Sequence, residues 1–320
     1  MHNAFAPQIF DLQELSNQSG GEESKAADSG HRQPSTGRSL LSILREAYDS
    51  PAMKPVMPYD PDALLSKRIR DVLQDGRPEE IKRLSSLWKV DISKGQKELD
   101  AKVEELLWLT TLLLAGSGRQ GRKPRLDFFL MHLLNSTLFI PSLLNAIPSA
   151  ESKALLLRAT VPIILIFLLL RGRPRIDPEL LMSYTANPHP PNFENGPEPY
   201  ETAIGDPRKD ATANPWPVIT ASVLHAPDPH TLKAIRALYY AAQKYGLTPA
   251  GGAVGAFQPN GEETHKGTST MDGSIFIRAA GIVMDVMGWV SHGQKEGTWD
   301  RSALGWDDAW KGEGMLSVKM

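Results

Sequence analysis

Two histidine-bearing stretches hold the residues best suited to chemistry. The first reads Asp127-Phe128-Phe129-Leu130-Met131-His132 and continues to Asn135-Ser136. On a helix, His132 shares a face with Phe128, Asn135 and Ser136. An imidazole among apolar neighbours needs a partner, because an unsatisfied buried ring nitrogen is costly. A backbone carbonyl or Asn135 is the local choice and a metal ion the other; spacing alone favours the local one. The second stretch reads His225-Ala226-Pro227-Asp228-Pro229-His230-Thr231-Leu232-Lys233. Asp228 suits the N-cap of a helix and Pro229 its first residue. His230 and Lys233 then share one face, and the stripe Leu232, Ile235, Tyr239 and Ala242 is expected to face the core. Either the helix starts with an exposed His and Lys, the reading that spacing favours, or both aim into a cavity. In a cavity, desolvation lowers the lysine pKa and leaves an amine that acts as a base or takes up CO₂ to become a carboxylate.

A third feature lies near the C-terminus: Ile277-Arg278-Ala279-Ala280-Gly281, Gly288-Trp289, and Trp299-Asp300-Arg301 followed by Trp306 and Trp310. Four tryptophans between residues 289 and 310 either pack in the core, the commoner use, or line a flat aromatic pocket.

Composition removes several classes of function. The chain has no cysteine, which rules out disulfides, thiolate nucleophiles and cysteine-held metal centres together. Its formal net charge is −2, so the basic footprint of a nucleic-acid binder is missing. No Gly-x-Gly-x-x-Gly follows a strand pattern, and there is no phosphate-binding P-loop, His-Glu-x-x-His pair or Gly-x-Ser-x-Gly elbow. The first twenty residues lack a basic start followed by an apolar run, and a cytoplasmic protein is expected. Ala154 to Leu170 is apolar but short for a span, and it holds Arg158 and Pro162. It is read as a buried core helix rather than a membrane segment, with Arg171, Arg173 and Arg175 as a basic flank.

The elements that position these residues are helical. Residues 15–38 are polar and read as part of a disordered tail, 1–38, ahead of a helical domain over 39–320. Leu40, Ile43, Leu44 and Ala47 form a helical stripe ended by Pro51 and Pro55. Helices are expected over Pro61–Leu73 and Glu79–Leu87, then around Leu99 to Thr110 with an end near Gly116. A loop rich in Gly and Arg, SGRQGRKPR, leads to one apolar helix from Asp127, its N-cap, to Leu144. A Pro-rich connector covers 174–217, and helix resumes near Asp228 and over Ser274–Val290. Strand alternation is rare, so the fold class is all-α.

Taken in order, SLLSILREAYDSPAM (39–53), LWKVD (87–91), DFFLMHLLNSTLFIPSLL (127–144), LHAPDPHTLKAIRALYYAAQKYG (224–246) and the run 277–310 resemble the questin oxidase-like family of fungal secondary metabolism. The resemblance implies an oxygenase that opens a ring of an anthraquinone or related aromatic polyketide. It implies either an NADPH-linked Baeyer–Villiger-type oxidation or non-haem Fe(II) chemistry. It carries His132, His225, His230 and Lys233 over as candidate metal ligands, Lys233 as a carboxylated side chain, with His230 and Lys233 as candidate catalytic residues. Imidazole and carboxylate suit ferrous iron. Two departures stand out. Family members carry histidine-bearing helices upstream of the Ser39 segment, where this chain has 38 mostly polar residues with only His2 and His31. The acidic residue expected after His225 is replaced by Ala226-Pro227. An inactive, shortened member that serves as a ligand-binding or scaffold protein is the alternative.

Overall fold

The computed structural model describes residues 31–311 apart from 56, 207, 211 and 212. Among these, eleven α-helices form: α1 (Leu40–Asp49), α2 (Leu65–Val72), α3 (Arg77–Ser86), α4 (Gln96–Ala115), α5 (Phe128–Thr137), α6 (Ile140–Ala146), α7 (Ala150–Leu170), α8 (Pro178–Ser183), α9 (Trp216–Val223), α10 (Pro229–Tyr245) and α11 (Ile275–Met287). No strand or sheet occurs among the described residues, only two isolated bridges. The all-α expectation holds.

α4 is the central post. Sixteen of its twenty residues are buried, which fits a helix apolar nearly all round from Leu106 onward. It packs against α5 and α11, α10 lies on both α5 and α11, and α7 covers α2 and α3. α7 is thus a core helix, with 61% of its most apolar window buried. Pro162 sits inside it.

The single helix expected over 127–144 is two. α5 stops at Thr137 and α6 starts at Ile140, because Pro141 has no N–H and its ring crowds the carbonyl four residues back. The helix expected from Pro61 starts four residues later, at Leu65. Two short helices form where the sequence pattern predicts only a connector. α8 lies inside the connector although Asp177-Pro178 is a cap-and-start signature, and Asp177 does accept the Leu180 N–H at 2.9 Å. α9 closes the connector at Trp216.

The polar tail expected to be disordered over 1–38 is ordered in its last eight residues. Residues 31–38 pack on the body, and residues 1–30 lie outside the described part. Arg32 makes a two-pronged ion pair with Glu104 at 2.6 and 2.9 Å. The Thr36 hydroxyl donates to Glu98 at 2.6 Å, and Ser35 also meets Glu98. Counting apolar surface alone missed that these polar side chains satisfy carboxylates buried on α4. The same face of α4 carries Lys102, fully buried, which donates to Glu105 at 2.9 Å and to the Thr36 carbonyl at 3.2 Å. Glu105 also accepts the Leu40 N–H at 2.9 Å and the Trp88 indole N–H at 3.1 Å.

Candidate functional site

Asp127 caps α5, accepting the N–H groups of Phe129 at 2.9 Å and Leu130 at 3.2 Å. Its other oxygen accepts from Arg171 at 2.7 Å, a buried pair that ties the start of α5 to the end of α7. One and a half turns along α5, His132 is exposed, and its Nδ1 lies 2.8 Å from the Phe128 carbonyl. The partner is therefore the backbone one. Asn135 instead turns its amide toward the Met131 sulfur.

Asp228 caps α10 as the sequence suggests, accepting the His230 N–H at 2.8 Å, and also contacts the His230 ring at Nδ1, 2.7 Å away. Burial alone would raise the Asp228 pKa, but the His230 amide, the His230 ring and Arg301 outweigh it and hold the carboxyl below its ordinary range.

The two helices bring the rings together. The His132 and His230 centroids are 5.1 Å apart, and Phe128 sits edge-on to both, at 4.6 and 5.0 Å. Arg301 covers Phe128, its guanidinium carbon 3.6 Å from the ring centre. That placement comes from the C-terminal segment, where the Phe128 N–H donates to the Asp300 carbonyl and the Asp300 N–H to the Leu126 carbonyl, each at 2.8 Å. A carbonyl and a carboxylate only accept, so each ring holds its proton at Nδ1 when neutral and leaves Nε2 bare.

Among the described residues, neither His225 nor Lys233 makes a hydrogen bond, ion pair or ring contact with this cluster. His225 is exposed just ahead of α10, and Lys233 is exposed one turn after His230. The cavity that would have desolvated Lys233 is therefore not what surrounds it. The stripe expected to face the core is split. Ile235 is buried, whereas Leu232 and Tyr239 are partly exposed and line an apolar groove of about 560 Å³ between α9 and α10 with Leu224 and Pro217.

The tryptophan run packs rather than lining a pocket. Trp289, Trp299 and Trp310 are buried. Trp306 lies under Arg68 at 5.3 Å and donates its N–H to the Met57 carbonyl at 3.1 Å. What the sequence did not reveal is Arg301 over Phe128, since nothing local ties residues so far apart.

Two imidazoles, each anchored through Nδ1, are how metal-bound histidines are usually oriented. Iron needs more donors, and among the described residues no three His, Asp or Glu side chains gather around one point. The described residues therefore do not fit a complete non-haem iron centre.

Fold and site together define an all-α protein that presents an imidazole pair from two distant helices beside a cation-capped aromatic ring. A family model described as questin oxidase-like matches residues 2–238, well over half of the chain, and the chain belongs to that family. The match begins upstream of Ser39, takes in both histidine-bearing helix starts and ends at Leu238, before the tryptophan run. No curated protein matches the chain. Membership implies oxidase activity in general terms.

Proposed function

We propose that this protein is an oxygenase acting on a hydroxylated anthraquinone or related aromatic polyketide, with His132 and His230 as its reactive pair. The observation that carries this reading is the 5.1 Å approach of the two rings, both of which fall within the family match. Asp228 behind His230 steadies the imidazolium that forms when Nε2 takes a proton, as a carboxylate behind a histidine does in general base catalysis. A phenolic hydroxyl on the polyketide is the natural proton source, and its loss makes the ring electron-rich toward oxygen. Phe128 offers an aromatic surface and Arg301 a positive charge next to the resulting phenolate. The apolar groove between α9 and α10 is lined by neither His132 nor His230 and lies on the opposite face of α10, so it takes no part in this step. Insertion of one oxygen atom from O₂, with the other leaving as water, consumes two electrons, for which NADPH is the reductant to supply. No step runs through iron, because the donor set among the described residues is incomplete. His225 and Lys233 stand in water and are assigned no step.

The test is incubation of the purified protein with a hydroxylated anthraquinone, NADPH and O₂, with and without added Fe(II), followed by mass spectrometry. A product heavier by one oxygen supports the reading. The incomplete ligand set favours one rival, a non-catalytic member that binds such ligands. Saturable anthraquinone binding with no oxygenated product in either arm would establish that rival instead.

A further inference from the structure

A second site lies away from the imidazole pair, where the basic loop after α4 meets the turn after α7. The cleft between them measures about 630 Å³. Its wall includes Ser117, Arg173, Arg175, His265 and Tyr48, and neither His132 nor His230 lines it. Most of its charges are already matched. Arg45 pairs with Asp49 at 3.2 Å, Lys266 with Glu179 at 2.7 Å and Arg119 with Asp307 at 2.6 Å. Asp177 accepts from the Gln120 amide at 3.0 Å and from the Leu180 N–H at 2.9 Å. Arg173 and Arg175 form no ion pair among the described residues, although Asp49 is near enough to act on Arg173.

The turn that carries them is tightly built. Gly172 and Arg173 both adopt left-handed backbone, φ 80° and 56°. A Cβ at Gly172 would lie 2.1 Å from the Trp306 ring, so only glycine fits there. The buried Tyr48 hydroxyl donates to the Pro174 carbonyl at 2.8 Å and accepts the Ile176 N–H at 3.1 Å, pinning the next residues. Arg175 is exposed and rests over the Tyr48 ring at 4.9 Å. Arg173 reaches only the Ala47 and Ser50 carbonyls, at 3.5 and 3.4 Å, both long for hydrogen bonds. Ser117 also lines the cleft, is 4% exposed and has a buried hydroxyl with no hydrogen-bond partner among the described residues. Two guanidinium groups that form no ion pair and an unmatched hydroxyl in the lining of one cleft share an explanation. Each is satisfied by an oxyanion.

We propose that this cleft binds the phosphate group of a small phosphorylated ligand, with Arg173 and Arg175 supplying paired charge and Ser117 a hydroxyl donor. The volume leaves room beyond one phosphate for the rest of such a molecule. Burial keeps His265 neutral near pH 7, its pKa lowered to about 4, so the five cations of the lining exceed its four carboxylates by one. This site goes beyond the oxygenase reading and stands or falls separately from it.

The experiment is calorimetric titration of the full chain with inorganic pyrophosphate and, in a parallel arm, acetate, at low ionic strength. Pyrophosphate is expected to bind, to bind at least about tenfold more tightly than acetate, and to weaken with added salt. Arg175→Gln, at an exposed position, is expected to weaken binding about tenfold or more, and Arg175→Lys to recover part of it. Arg70→Gln, which removes the same charge from the exposed face of α2, is the control and should bind as wild type. No heat of binding with pyrophosphate, equal affinity for acetate, or equal losses in Arg175→Gln and Arg70→Gln would each overturn the assignment.

Discussion

His132 and His230 face one another with ring centres 5.1 Å apart, one anchored by a carbonyl of its own helix and the other by the aspartate that caps its own helix. Neither contact costs the core anything, since His132 is exposed and His230 only half-buried. His132→Gln and His230→Gln are therefore expected to keep stability within about 0.5 kcal/mol of wild type while losing turnover. Urea denaturation followed by circular dichroism checks the first half of that statement. His225→Ala and Lys233→Ala, both exposed, are expected to change neither stability nor turnover.

Lys102 behaves differently because it lies inside the protein. Lys102→Met leaves Glu105 and Glu98 buried without their cation, and a loss of about 3–5 kcal/mol is expected in denaturant unfolding. Adding Glu105→Gln should restore part of it, since the amide needs no counter-charge. A loss under about 1 kcal/mol for Lys102→Met would show that the cluster is not held by charge.

His265 gives stability a pH dependence. Burial lowers its pKa from 6.5 to about 4; the Leu41 carbonyl opposes the shift, and Arg45 and Arg175 add to it. Between those values the unfolded chain binds a proton that the folded chain refuses. The contribution is therefore complete above about pH 6.5 and falls away as pH drops toward 4, by about 3 kcal/mol in all. His265→Gln, which can still donate to the Leu41 carbonyl, should flatten that part of the stability profile measured by urea titration at several pH values.

Gly172→Ala forces a side chain into left-handed backbone and against the Trp306 ring. A loss of about 2–4 kcal/mol is expected, from backbone strain and overpacking together. Trp306→Ala in the same chain removes only the clash, so the double variant should stay less stable than Trp306→Ala alone. Thermal unfolding of the three variants decides it.

Much of the scaffold was legible because its signals are local. Asp127 and Asp228 each occupy the N-cap that starts its helix, and the stripe from Leu40 to Ala47 is buried as its spacing requires. The break at Pro141 and the short helix after Asp177-Pro178 were equally local, and the residues to find them were present. The pairing of His132 with His230 was reachable only through the family resemblance, since spacing favoured isolated, exposed histidines. Hidden altogether were contacts made by tertiary packing. Arg301 reaches Phe128 because the Asp300 backbone pairs with Leu126 and Phe128. Polar residues 32–36 are held by carboxylates that a helical wheel of α4 would place but could not match to partners. The arginine turn after α7 read as a basic flank, and only Gly172, Trp306 and Tyr48 together show it to be a built wall.

The most direct measurement is oxygen uptake, by electrode, of the wild-type chain and of His132→Gln and His230→Gln with a hydroxylated anthraquinone and NADPH. The account predicts substrate-dependent uptake in the wild type that falls by about 100-fold or more in both variants, the size of a lost general base or its partner. Wild-type uptake that survives unchanged in either variant, or no substrate-dependent uptake at all, would contradict it.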